Sequence, residues 1–286
     1  MTIIDVGSGP AIVVVPGIQG RWEWMRPGVD ALARTCRVLT FSLADEPTSG
    51  ARFDESRGFD CYVEQVREAL DARGIDRAAI CGVSYGGLIA AAFAGRYPQR
   101  TASLVLVSAI PPSWKPDARA GVYLRWPRLL SPLFCLASLR LHREIAAAHQ
   151  GGFNGLRASA RYGWNALTHM FSPRRMARRV RLLSTVDHAA ATNGFGAPAL
   201  VVTGEEQLDR VVPVRLTLEY LQLWPHARVA TIERTGHVGL ITRPDAFAAV
   251  VSRFVHDNAG ASTANTAGTV GRTLSGPPIE SRRRVG

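Results

Sequence analysis

Ser84 stands in the stretch Gly82-Val83-Ser84-Tyr85-Gly86-Gly87, with the apolar run Ala78 to Cys81 before it and the alanine-rich Leu88 to Phe93 after it. That pattern predicts a strand, a tight turn and a helix, with the serine on the turn. Gly82 and Gly86 flank it at two residues' distance, so strand and helix can pass without a Cβ clash, and the turn presents the hydroxyl as a nucleophile. A helix starting at Tyr85 also points its unbonded N–H groups and positive dipole end at any anion forming beside Ser84. The bland alternative is a glycine-rich connection with the serine as filler.

A serine hydroxyl is a poor nucleophile near neutral pH and needs a base, which in turn needs a group to orient it. His237, in Thr235-Gly236-His237-Val238-Gly239, directly follows the β-type run Val229 to Ile232, so it falls at the sheet edge where Ser84 emerges. His226 precedes that run and belongs at the opposite edge, His256 ends a helical stretch, and His188 sits beside Asp187. Three carboxylates follow the run Leu200 to Thr203: Glu205, Glu206 and Asp209. Asp209 is preferred, since it stands nearest Pro213, where the next helix opens, while Glu205 and Glu206 read as a solvated pair against the strand end.

The elements that must position these groups are legible as an alternation. Short β-type runs (Ile12 to Val15, Val38 to Ser42, Ala78 to Cys81, Leu104 to Ser108, Leu200 to Thr203, Val229 to Ile232) are separated by helical stretches near Trp24 to Ala33, Phe59 to Arg73, Tyr85 to Arg96, Val214 to Leu223 and Pro244 to His256. This predicts an α/β fold, a mostly parallel central sheet with helices on both faces. Thr2 to Val6, joined to Ile12 by Gly7-Ser8-Gly9-Pro10, is expected to form an antiparallel hairpin with the next strand. After Ser108 the alternation stops, and Pro111, Pro112 and Pro116 open an all-helical insertion. The expected organisation is therefore a core of 1–110 and 187–257, an inserted helical segment at 111–186, and a disordered tail at 258–286. Ser172-Pro173 is expected to cap a helix whose apolar stripe is Met176, Val180 and Leu183, with Arg174, Arg175, Arg178, Arg179 and Arg181 facing elsewhere.

The chain has 286 residues and a formal charge of +11. Residues 111–186 carry 13 basic side chains against 2 acidic ones, which is the whole of that excess. No stacking aromatics interleave these arginines, so no nucleic-acid partner is expected; a solvated arginine face and an anionic partner both remain open. The first residues have no basic leader region and no apolar run long enough to span a bilayer, so a cytoplasmic protein without integral membrane segments is expected. Cys36, Cys61, Cys81 and Cys135 lack zinc-type spacing; buried free thiols and no metal site are the expectation.

With Ser84, Asp209 and His237 in this order, the chain resembles the α/β-hydrolase superfamily over residues 2–257, on Gly82 to Gly87, Gly204 through Pro213, and Gly236-His237 followed by Pro244. The resemblance implies an eight-strand sheet with a helical cap inserted where the arginine-rich segment falls, and a triad of Ser84, Asp209 and His237. It also implies an oxyanion hole made by the Tyr85 amide and a second amide from Pro16-Gly17-Ile18-Gln19-Gly20, that of Ile18. Gln19 and Arg21, after that loop, are candidate substrate contacts, Arg21 for a carboxylate. The sequence departs from the family in having Pro16 where a histidine commonly braces the oxyanion loop, and in placing Asp209 two residues later than usual after Gly204. The implied activity is a cofactor-free serine hydrolase acting on a small-molecule acyl substrate (an ester, lactone or thioester), with an enol-lactone of aromatic degradation as one candidate. An acyltransferase, a C–C bond hydrolase or a ligand-binding module on the same scaffold are the alternatives.

Overall fold

The computed structural model describes residues 1–130, 141–149, 172–184 and 195–259. Seven strands, β1 (Ile4–Val6), β2 (Ala11–Val15), β3 (Arg37–Thr40), β4 (Ala78–Val83), β5 (Thr101–Val107), β6 (Ala199–Thr203) and β7 (Arg228–Thr231), form one sheet in the order β1-β3-β2-β4-β5-β6-β7. All neighbouring pairs are parallel except β1 with β3. Among the described residues the sheet thus has one strand fewer than the eight expected.

The expected hairpin between the first two strands does not form. Ile4 pairs with Thr40 and Val6 with Val38, both on β3. The reason is topological: β2 is enclosed between β3 and β4, so β3 offers the only edge on that side. The connection crosses beneath the turn before β3 with Gly7 and Gly9 at φ +80 and +112.

Period-two alternation along the parallel strands feeds two apolar layers. Val13, Val15 and Ile80 face α2 (Asp60–Asp71) and α3 (Tyr85–Arg96), with Tyr62, Val66, Ile89 and Phe93 fully buried. Ile12, Val14, Cys81 and Val105 face α1 (Arg26–Leu32) and the C-terminal helix Pro244–Ala259, with Val29, Leu32, Phe247 and Val251. Each such side chain contributes about 1.5–3 kcal/mol of apolar burial, enough in sum to make the sheet a rigid platform.

Between β5 and β6 the described residues hold α4 (Ala118–Arg125), α5 (His142–Ala148) and α6 (Pro173–Leu183). Ser172 caps α6 as expected, its Oγ accepting the Arg175 amide, and Met176 and Leu183 are buried. The arginines do not all face away. Arg179 is completely buried against the core, because the carboxylates of Asp45 and Glu46 wait beneath it. His188 and Cys135 lie outside the described residues. After β6 come α7 (Val214–Thr217) and α8 (Tyr220–Leu223), two short turns in place of the one continuous helix expected; after β7 come α9 (Gly239–Thr242) and α10 (Pro244–Ala259).

Candidate active site

Ser84 directly follows β4 and precedes α3, with φ 53 and ψ −116. A non-glycine residue there is strained, and the fold has to hold it. It does so with three backbone hydrogen bonds: the Ser84 amide donates to Val107 O at 2.9 Å, and its carbonyl accepts the amides of Gly87 at 2.9 Å and Ile110 at 3.4 Å. The glycine arms are required by contact. A Cβ on Gly82 would lie 2.3 Å from Gly86 O, and one on Gly86 would lie 2.5 Å from Val15 O. Two strands and a helix converge here too closely for any side chain.

His237 and Asp209 reach the same point from the loops after β7 and β6. His237 Nε2 is 3.1 Å from Ser84 Oγ, and its Nδ1 is 3.4 Å from Asp209 Oδ2. The contact with a carboxylate selects the tautomer that is protonated at Nδ1, leaving Nε2 to accept the serine proton. Asp209 Oδ1 accepts the amides of Val211 at 3.0 Å and Val212 at 2.9 Å. Burial by itself would raise the Asp209 carboxyl, but the hydrogen bond and charge of His237, with those two amides, outweigh it and hold the group below the ordinary aspartate range. The extra residues after Gly204 are taken up in a turn, in which the amides of Leu208 and Asp209 both donate to Glu205 O at 3.0 Å. Glu205 itself accepts the Arg234 amide at 2.7 Å, which ties the two loops together. Glu206 is exposed. His226 and His256 bond to the carbonyls of Ala197 and Thr35, away from Ser84.

The loop after β2 lies alongside. Gly17, Ile18, Gln19 and Gly20 form a turn closed by the Gly20 amide on Gly17 O at 2.9 Å. Gly17 packs on the serine: a Cβ built there would stand 3.5 Å from Ser84 Cβ and 3.3 Å from Gln19 Oε1. Within the described residues the backbone amides of Ile18 and Tyr85 donate to no other group. Arg21 is turned to Glu23, at 2.9 Å. Among the described residues no cluster of histidine, cysteine and carboxylate side chains is arranged to hold a metal.

A serine on a strained turn, a histidine and an aspartate, each following the carboxyl end of a parallel strand, are combined with sheet order 1-3-2-4-5-6-7. A family model for the alpha/beta hydrolase fold matches residues 10–244. The chain belongs to the alpha/beta hydrolase family. A 2-hydroxymuconate semialdehyde hydrolase of Pseudomonas putida is 30% identical over 257 residues, covering 87% of this chain and 84% of that protein. A 2-hydroxy-6-oxo-2,4-heptadienoate hydrolase of Pseudomonas putida strain F1 is 25% identical, covering 88% of this chain and 91% of that protein. The crystal structure of the enol-lactonase from Burkholderia xenovorans LB400 shares the fold at a TM-score of 0.71 and 22% identity, covering 89% of this chain and 96% of that one.

In this alpha/beta hydrolase the inserted segment touches both sides of the site, through residues whose part was not legible in the sequence. From α6, Arg179 donates to Asp45 Oδ1 and Glu46 Oε1, both at 2.6 Å, and to Ile18 O at 2.6 Å. Desolvation works against its charge, yet Asp45 and Glu46 more than offset it and raise the guanidinium pKa. Arg178 pairs with Asp45 and Glu55, and Arg175 with Glu46. From α5, Glu144 is fully buried and accepts the Val238 amide at 2.8 Å, next to His237. Burial pushes its carboxyl up to about 7, against the lowering by the Gly236 and Val238 amides. No motif marks either residue; the only signal was a lone glutamate and an arginine run within a cationic segment.

Proposed function

We propose that this alpha/beta hydrolase cleaves a small carboxylic ester, lactone or thioester through an acyl-enzyme on Ser84. The observation that carries the reading is the hydrogen-bond chain from Ser84 through His237 to Asp209, anchored on a strained serine. Ser84 Oγ attacks the substrate carbonyl while its proton passes to His237 Nε2. Asp209 holds the imidazole in place and stabilises the imidazolium. The carbonyl oxygen becomes an oxyanion held by the Tyr85 and Ile18 amides, both unengaged among the described residues. Collapse expels the leaving group, protonated by His237, and a water activated by the same histidine releases the acid. The inserted helices act as a cap over this site, with Gln19 at its wall. The buried free thiols of Cys36, Cys61 and Cys81 support a reducing, cytoplasmic setting.

A second reading is favoured by the two relatives from Pseudomonas putida, whose names describe hydrolysis of a muconate semialdehyde and an oxo-dienoate. In C–C bond hydrolysis the same serine and histidine serve, but carbon rather than oxygen must accept the leaving-group proton. A panel of p-nitrophenyl esters, lactones and vinylogous oxo-acids separates the two. Fluorophosphonate labelling tests what they share: Ser84→Ala is expected to abolish labelling and lower turnover by at least three orders of magnitude with the circular dichroism unchanged. Turnover above a tenth of wild type would sink both readings.

A further inference from the structure

We propose that Arg179 is the positioning residue of the oxyanion pocket, tying both amide-bearing residues to one buried point on the inserted segment. Its guanidinium donates through Nη1 to Ile18 O at 2.6 Å, and its own carbonyl accepts the Tyr85 hydroxyl at 3.3 Å. Ile18 and Tyr85 are the two residues whose amides face the developing charge in the reading above, on which this inference rests. No other described residue is hydrogen-bonded to both.

The surroundings are built to hold the guanidinium still. Its Nε and Nη2 both donate to Asp45 Oδ1, at 3.1 and 2.6 Å, and Nη2 also reaches Glu46 Oε1 at 2.6 Å. The side chains of Arg179, Asp45 and Glu46 are at most 1% exposed. Gly20, at φ +76, leaves the space: a Cβ there would stand 2.3 Å from Arg179 Nη2. On its other side the loop is fastened by the Leu43 amide on Gly20 O at 2.7 Å. A buried ion pair of this kind adds little stability over an apolar replacement. Geometric definition is what it supplies, since a planar fork with several fixed acceptors cannot rotate without breaking bonds. Pro16 leaves the loop without the histidine brace, and Arg179 supplies a brace from across the site. Because α6 belongs to the inserted segment, the oxyanion donors are aligned only while that segment is docked.

Arg179→Met alone leaves two buried carboxylates without their one fully buried cation, Arg175 and Arg178 reaching them from the part-exposed side, so the test removes all three fully buried charges with Asp45→Asn, Glu46→Gln and Arg179→Met together. Tyr85→Phe, which leaves every charge in place, removes the other tether without threatening the fold. With a p-nitrophenyl ester, each variant is expected to lose threefold or more in kcat, tenfold or more for the triple change, with KM within threefold. Affinity for a trifluoromethyl ketone, whose adduct on Ser84 carries the oxyanion, should fall in parallel. A purely structural role would not single out that adduct. Loss of kcat below threefold in the folded variants overturns the proposal, and so does a loss of kcat with trifluoromethyl ketone affinity unchanged. If the triple variant does not fold, Tyr85→Phe decides by the same criteria. Failure of the Ser84 reading is seen separately, as wild-type enzyme that neither labels nor turns over at Ser84.

Discussion

Asp209 and Glu206 share one short turn, yet only Asp209 is buried against His237 while Glu206 points to solvent. Asp209→Asn is therefore expected to lower kcat by about 10³–10⁴-fold, because the amide favours the wrong imidazole tautomer and cannot stabilise the imidazolium. Glu206→Gln should stay within twofold, and steady-state kinetics on the pair makes the comparison. Glu144 adds a pH dependence whose sign follows from its raised pKa. Folded, its carboxyl titrates at about 7 against an ordinary 4.5, so folding favours the protonated form. Its contribution is fully present below about pH 4.5 and is lost as pH rises through about 7. At about 1.4 kcal/mol per unit, Glu144→Gln should gain on wild type by about 2–3 kcal/mol across that window. Denaturant titrations of both proteins at several pH values check this; a difference independent of pH would refute it.

At the scale of elements, the strained turn at Ser84 brings β4 and α3 nearly into contact. The Cβ that Gly86→Ala adds would fall between the carbonyls of Val15 and Pro16, at 2.5 and 2.6 Å, where backbone cannot yield. That change should cost more than about 3 kcal/mol and remove activity, because it pushes β2 and the loop that follows it off the serine. Gly121→Ala in α4 is the matched control. Nothing lies within 4 Å of a Cβ there, so the helix should gain about 0.5–1 kcal/mol. Thermal and urea unfolding of both variants read the contrast directly.

For the whole molecule, the cationic segment is matched to the core. Arg175, Arg178 and Arg179 meet Asp45, Glu46 and Glu55, carboxylates supplied by the connection between β3 and α2. Three of the thirteen basic side chains that the sequence left open to an anionic partner are thus paired inside the protein. Arg174 and Arg181 are exposed. Replacing both by Gln should leave kcat/KM for an anionic ester within twofold, at 0.1 M and at 1 M salt, although the Debye length falls from about 10 to about 3 Å. A tenfold salt effect on that substrate would show that surface charge steers it after all.

The amino-acid sequence determined the parallel α/β core, the strained serine between glycines and the histidine after the last strand, because each leaves a local mark: a period-two run, a pair of glycines two residues to either side, a loop at a strand's carboxyl end. It also pointed to Asp209, through the proline that follows it, as the carboxylate to stand beside His237. The pairing of β1 with β3 was not legible, since register depends on which edge the completed sheet leaves free. Nor was the split between α7 and α8, where Leu218 and Glu219 keep helical φ and ψ while the Thr217 and Tyr220 side chains bind the carbonyls of Ala109 and Ile110. Arg179 and Glu144 were hidden for a deeper reason. Their partners Asp45 and Val238 stand 134 and 94 residues away, and nothing in the local pattern of a helix tells a solvated arginine from one that will be enclosed. Only the packing of α5 and α6 on the core brings those charges together, and burial then fixes an ordinary arginine beside Ile18 and an ordinary glutamate beside Val238.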